Sequence, residues 1–206
     1  MRVVRPPFRV LAEKLGAAYS VTFSGETEAR LFQERLTITP RASPYAREPP
    51  EPIHTASVEG ATVNMPRALG RKLYKATFEE PPYEHRDMAL VLAPRPHQIQ
   101  PIQTVVDMFT SQNVSEAVLQ AGCGDGKTFT FLAIASQLGG RTMVLVHTSK
   151  LVEQWVEAVH KTLPDAKVGI LKANKKPKAT DDIVIASIQT LVNRDEDFSG
   201  YRLVGI

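Results

Sequence analysis

Apolar and polar residues follow one rhythm up to about position 90 and another after it. In the first part, short alternating stretches at 19–23, 36–39 and 61–65 predict strands that turn one side chain inward and the next to water. Pro40, Pro44, Pro49, Pro50 and Pro52 punctuate them. Proline cannot donate to a strand ladder, so these strands stay short and bounded by edges. A helix over 26–34 fits between the first two. Pro81, Pro82, Pro94 and Pro96 mark the exit, which puts a small β-containing accessory domain over residues 1–90 and a second domain over 91–206.

From residue 95 onward strands and helices alternate. The pattern predicts a helix over 98–109, a strand over 116–120, a helix over 127–138 and a strand over 142–146. A helix over 149–161 follows, with Leu151, Trp155 and Val159 on one face, then strands at 167–170 and 183–186, a short helix from Ile188 and a last strand at 202–206. Such alternation implies an α/β fold with a parallel, doubly wound sheet and helices on both faces. The sequence shows no internal repeat and no heptad.

Composition narrows this picture only slightly. With 206 residues the chain can bury a core as one large or two small domains. A net charge of +3 and a pI near 9.0 are a weak basic bias, compatible with a polyanionic partner. The single Cys123 excludes an internal disulfide and a Cys-rich zinc site, and points to a reducing compartment. No segment approaches eighteen consecutive apolar residues, and the N-terminal Met1-Arg2-Val3-Val4-Arg5-Pro6-Pro7 lacks the apolar core of a signal peptide. The expectation is a cytoplasmic protein with no membrane partner.

The candidate chemistry lies at Ala121-Gly122-Cys123-Gly124-Asp125-Gly126-Lys127-Thr128, between a predicted strand and a predicted helix. Glycines let the backbone fold around an anion with its N–H groups inward, and the helix that follows presents the positive end of its dipole. Lys127 would reach the β- and γ-phosphates of a nucleotide, and the Thr128 hydroxyl would ligate Mg²⁺. Residues 122–128 are therefore the expected nucleotide-binding loop, for ATP with Mg²⁺, and Lys127 and Thr128 the expected catalytic residues.

This stretch departs from G-x-x-x-x-G-K-[ST] at its first position and matches A-x-x-G-x-G-K-T, which resembles motif I of the superfamily 2 helicases and translocases. Its Cys-Gly-x-Gly-Lys core resembles their XPB-like branch. The resemblance implies a RecA-like P-loop NTPase lobe with a parallel sheet. Arg95-Pro96-His97-Gln98 resembles the upstream element whose glutamine reads the adenine edge, so Gln98 is the expected base contact, with Gln103 as a competitor. The stretch from Val144 to Trp155 is similar to motif Ia, where Thr148 and Ser149 would meet phosphates of a nucleic-acid strand; either can cap the helix as well, and for Trp155 a core role is the favoured reading. Ser187, at the end of the strand Ile183-Val184-Ile185-Ala186, resembles the hydroxyl of the next nucleic-acid-contacting motif, and contacts of this kind position a protein on the backbone without reading sequence. The run Lys172, Lys175, Lys176 and Lys178 reads as a solvated loop.

In the family the apolar strand seen here as Leu203-Val204-Gly205-Ile206 leads into an Asp-Glu-x-His box whose carboxylates hold Mg²⁺. The expectation is thus the N-terminal part of an ATP-dependent DNA helicase or translocase, hydrolytic as the parent protein and inactive as this chain alone. The leader around Leu36 to Pro40, Pro52-Ile53 and Val63 to Gly70 resembles that of phage and poxvirus-type members. A non-catalytic nucleotide- or DNA-binding fragment and a restriction-enzyme motor subunit are the alternatives.

Overall fold

Tyr19 and Val21 point into a core while Ser20 and Thr22 between them point out, the period-2 pattern of a half-buried strand. The computed structural model describes residues 9–15, 18–42, 48–74, 83–112, 114, 116–172, 175–192 and 200–206. The chain divides into two units, Met1–Glu79 and Glu80–Ile206.

In the first unit, β1 (Ala12–Leu15), β2 (Tyr19–Thr22), β6 (Thr62–Met65) and β5 (Ser57–Glu59) form an antiparallel sheet in that spatial order, and β3 (Thr37–Ile38) pairs with β4 (Ile53–His54). The register sets Tyr19 and Val21 opposite Met65 and Val63, all buried, and on the reverse face Ser20 hydrogen-bonds Asn64 and Thr22 meets Thr62. Helix α1 (Glu26–Leu36) closes the core with Ala29, Phe32 and Leu36, Phe32 meeting Phe23 edge to face. Helix α2 (Arg67–Tyr74) stacks Tyr74 on Tyr19, and a Cβ at Gly70 would fall 2.1 Å from the Tyr19 ring. That glycine is required by close approach.

The second unit has α3 (Pro96–Thr110), α4 (Lys127–Leu138), β7 (Thr142–Val146), α5 (Ser149–Thr162), β8 (Val168–Leu171), β9 (Ile183–Ser187), α6 (Ile188–Val192) and β10 (Leu203–Gly205). Its sheet runs β10-β7-β9-β8 with every pair parallel. Val144, Val146, Ile183 and Ile185 on one face meet Leu132 of α4 and Val152 and Val159 of α5. Met143, Val184, Ala186 and Leu171 on the other face meet Leu191 of α6 and Tyr201. The fold is the α/β type expected, a parallel-stranded lobe of RecA-like character. Burial of each Val, Leu or Ile contributes roughly 1.5–3 kcal/mol. Helix α3 lies on α4 through Ile102, Val105, Val106, Ala133, Ile134 and Leu138.

One predicted element is absent. Residues 116–120 form no strand: they are irregular and exposed, Val118 fully so at 98%. The four places in the sheet belong to β10, β7, β9 and β8, and an extended apolar triplet without a neighbouring strand has no ladder to join. The loop that follows is therefore positioned by α3 and α4.

Candidate functional site

Helix α4 begins at Lys127 because Gly126, its N-cap, stands in the left-handed region at φ 76° and ψ 42°. Gly124 is also left-handed, at φ 84°. An L side chain in this region costs roughly 1–2 kcal/mol, so both positions demand glycine. Their surroundings differ. A Cβ on Gly126 would lie 2.5 Å from the Gln98 amide nitrogen, whereas one on Gly124 would meet nothing within 4 Å. The loop is thus held from inside at Gly126 and open at Gly124, where a ligand can come close to the backbone.

The holding side chain is Gln98, on the first turn of α3 and 4% exposed. Its amide oxygen accepts the Arg95 backbone N–H at 2.9 Å, and its nitrogen donates to the Asp125 carbonyl at 2.8 Å. The His97 ring nitrogen lies 3.3 Å from the same carbonyl. Gln103 is elsewhere: its amide donates to the Asp107 carboxylate on an exposed face of α3. Of the two glutamines that the sequence offered, Gln98 is the one at the loop.

Inside the loop, the Lys127 ammonium donates to the carbonyls of Gly122, at 2.8 Å, and Ala121, at 3.3 Å. The Gly122 N–H donates to the Asp125 carboxylate at 2.6 Å. A backbone donor suited to an anion therefore already holds one, supplied by the loop itself. Cys123 is exposed and Thr128 half-buried on the first turn of α4. Glycines without side chains, an exposed ammonium and a helix start leave a place that an anion can approach. For a metal ion the donor set is smaller: among the described residues no group of three or more His, Cys, Asp or Glu could hold one. Mg²⁺ would have to share the Thr128 hydroxyl with phosphate oxygens.

The other expected contacts gather at the carboxyl ends of β7 and β9, level with each other because Val146 pairs with Ser187. Thr148 caps α5, its hydroxyl accepting the Leu151 N–H at 3.2 Å. The Ser187 hydroxyl donates to the Gln189 amide oxygen at 2.6 Å, and the Gln189 nitrogen donates to the His147 carbonyl at 2.7 Å. Ser149 accepts from the Lys172 ammonium at 2.9 Å. Trp155 is half-buried and packs edge to face on Phe131. Sequence reasoning brought forward Thr148, Ser149 and Ser187 but missed Gln189 and Lys172 as their partners. The available signal for Lys172 was its place directly after β8.

A model of the family described as "Type III restriction enzyme, res subunit" matches residues 91–203, more than half of the chain. The chain belongs to this family. The res-subunit match contains α3, the glycine loop and all the strand ends described above, and the accessory unit lies outside it. A protein of Acanthamoeba polyphaga mimivirus that bears the name "Putative ATP-dependent RNA helicase" is 29% identical over 127 residues, which are 59% of this chain and 24% of that protein. Among solved structures, the Sulfolobus solfataricus SWI2/SNF2 ATPase core in complex with dsDNA aligns with 59% of this chain and 27% of its own, at 18% identity and a TM-score of 0.45. The chain spans about a quarter of the length of each. Among the described residues no helix is long and apolar enough to cross a membrane.

Proposed function

We propose that this chain carries the nucleotide-binding lobe of an ATP-dependent nucleic-acid motor of superfamily 2, from the XPB-like branch of phage or poxvirus type. The observation that carries the reading is the glycine loop: a left-handed Gly126 starts α4, Gln98 holds the loop from behind, and Lys127 stands at its mouth. ATP is the nucleotide, with Lys127 on its β- and γ-phosphates and its adenine edge on Gln98, whose amide nitrogen would turn to the base from the Asp125 and Gly126 carbonyls and whose oxygen keeps a lone pair beside the Arg95 bond. Bound Mg²⁺, shared by Thr128 and the phosphates, would neutralise phosphate charge. A single strand, DNA in the first instance, runs along Thr148, Ser149 and Ser187 and is gripped by its backbone. The likeness to a res subunit keeps a restriction-enzyme motor as one form of the same reading.

For residues 1–206 alone the proposal is binding without turnover, since Asp125 is engaged with Gly122 and Thr128 is a single hydroxyl. The test is strand-stimulated ATP hydrolysis. It should be at background for residues 1–206 and restored in a chain extended past residue 206, then lost again with Lys127→Ala. Robust strand-stimulated turnover by residues 1–206 themselves, sensitive to Lys127→Ala, would show that the catalytic carboxylates lie within this chain.

A further inference from the structure

Lys172 stands out from the lysines that follow it. Its backbone exchanges two hydrogen bonds with Lys175, which fixes where the side chain leaves the end of β8, and its ammonium then reaches across to Ser149 at the start of α5. Its hydrogen-bond partner is a neutral hydroxyl, and no carboxylate among the described residues pairs with it. Holding a lysine in one rotamer costs up to roughly 2 kcal/mol of side-chain entropy, and a neutral hydrogen bond returns only about 1 kcal/mol. The result is an oriented cation whose charge no carboxylate among the described residues compensates. The Ser149 hydroxyl accepts from the ammonium and so keeps its own proton to donate outward.

The place matters as much as the charge. Thr148, Ser149 and Ser187, the hydroxyls along which the strand is proposed to run, carry no charge, and binding to a phosphate backbone draws its strength from lysine and arginine. We propose that Lys172 is a cation of this edge, beside the exposed Lys150, and contacts a backbone phosphate of a single nucleic-acid strand, next to Ser149. This rests on the nucleic-acid reading given above. The strand is recognised as a phosphodiester chain, so the contact is shared by DNA and RNA. Lys175, Lys176 and Lys178 remain a solvated face.

The experiment is fluorescence anisotropy of labelled oligo-dT and oligo-U over a salt series, with residues 1–206 as wild type, Lys172→Gln, Lys172→Arg and Lys176→Gln. Melting temperatures confirm that all four are folded. Lys172→Gln should lower the slope of log affinity against log salt by about 0.7, one phosphate contact on a single strand, and weaken binding about fivefold near 0.1 M salt. Lys172→Arg should restore most of both, and Lys176→Gln should change neither. A wild-type chain that binds with a clear salt slope while Lys172→Gln leaves it unchanged, or while Lys176→Gln lowers it equally, overturns the proposal and leaves the motor reading standing. A wild type that binds neither oligonucleotide overturns the nucleic-acid reading itself, and this inference with it.

Discussion

Replacing Gln98 by alanine tests the claim that α3 holds the phosphate loop. The side chain is buried, and two well-formed hydrogen bonds go with it, one from the Arg95 N–H and one to the Asp125 carbonyl. Each contributes about 0.5–1.5 kcal/mol net, and of the groups left behind only the Asp125 carbonyl keeps a second side chain nearby, the His97 ring nitrogen at 3.3 Å. The sum is about 2 kcal/mol. Unfolding in denaturant should register that loss directly. Nucleotide affinity should fall by up to roughly thirtyfold as the binding-competent loop becomes less populated, and the fall should be the same for ATP and GTP, because the loop meets phosphates common to both. Base reading by the same amide would add on the order of 1–3 kcal/mol against ATP alone. Gln98→Glu separates the two bonds: the carboxylate still accepts from Arg95 but opposes the Asp125 carbonyl. Titration calorimetry with Mg-ATP and Mg-GTP reads both terms. Unchanged GTP affinity together with unchanged stability in Gln98→Ala would refute the holding role, and an unchanged ATP-to-GTP ratio would refute the base contact.

Gly126→Ala should destabilise by about 2 kcal/mol or more, since the left-handed backbone and the clash with the Gln98 amide add; Gly124→Ala should cost only about 1 kcal/mol, and equal losses in thermal denaturation would contradict the difference in their surroundings. Asp125→Asn should tighten Mg-ATP binding about fivefold at low salt, because it removes an anion from the loop that triphosphate must enter, a repulsion of about 1 kcal/mol when screened by bulk water. The gain should fade as salt rises. Tighter binding that ignores salt would point to a rearranged loop instead.

What the sequence revealed and what it concealed follow from how local each determinant is. Helix α4 and strand β7 have the bounds expected of them, because Gly126 and Gly139 in left-handed caps end the helix by backbone chemistry alone. The same holds for Thr148 as the cap of α5. The strand expected over 116–120 depended on a neighbouring strand, which no local pattern can supply. Helix α2 was not among the expected elements; its Gly70 lets Tyr19 come close, a packing role that depends on a strand about fifty residues earlier. Strands β1 and β5 are short, charged sheet edges without an alternating apolar face. At the site, the left-handed Gly124 and Gly126 and the helix start at Lys127 are local features that the glycine spacing carries. The bonds of Gln98 to Asp125 and of Lys172 to Ser149 join parts of the chain 27 and 23 positions apart, and only the fold brings them together.

Residues 122–128 are proposed to bind a nucleotide through Lys127. Titration calorimetry of Mg-ATP into residues 1–206 and their Lys127→Ala variant tests it most directly. The wild type should bind measurably and the variant roughly ten- to hundredfold more weakly, the worth of a charge-assisted hydrogen bond, with the melting temperature of the apoprotein little changed. Equal affinity in the two proteins would contradict the proposal.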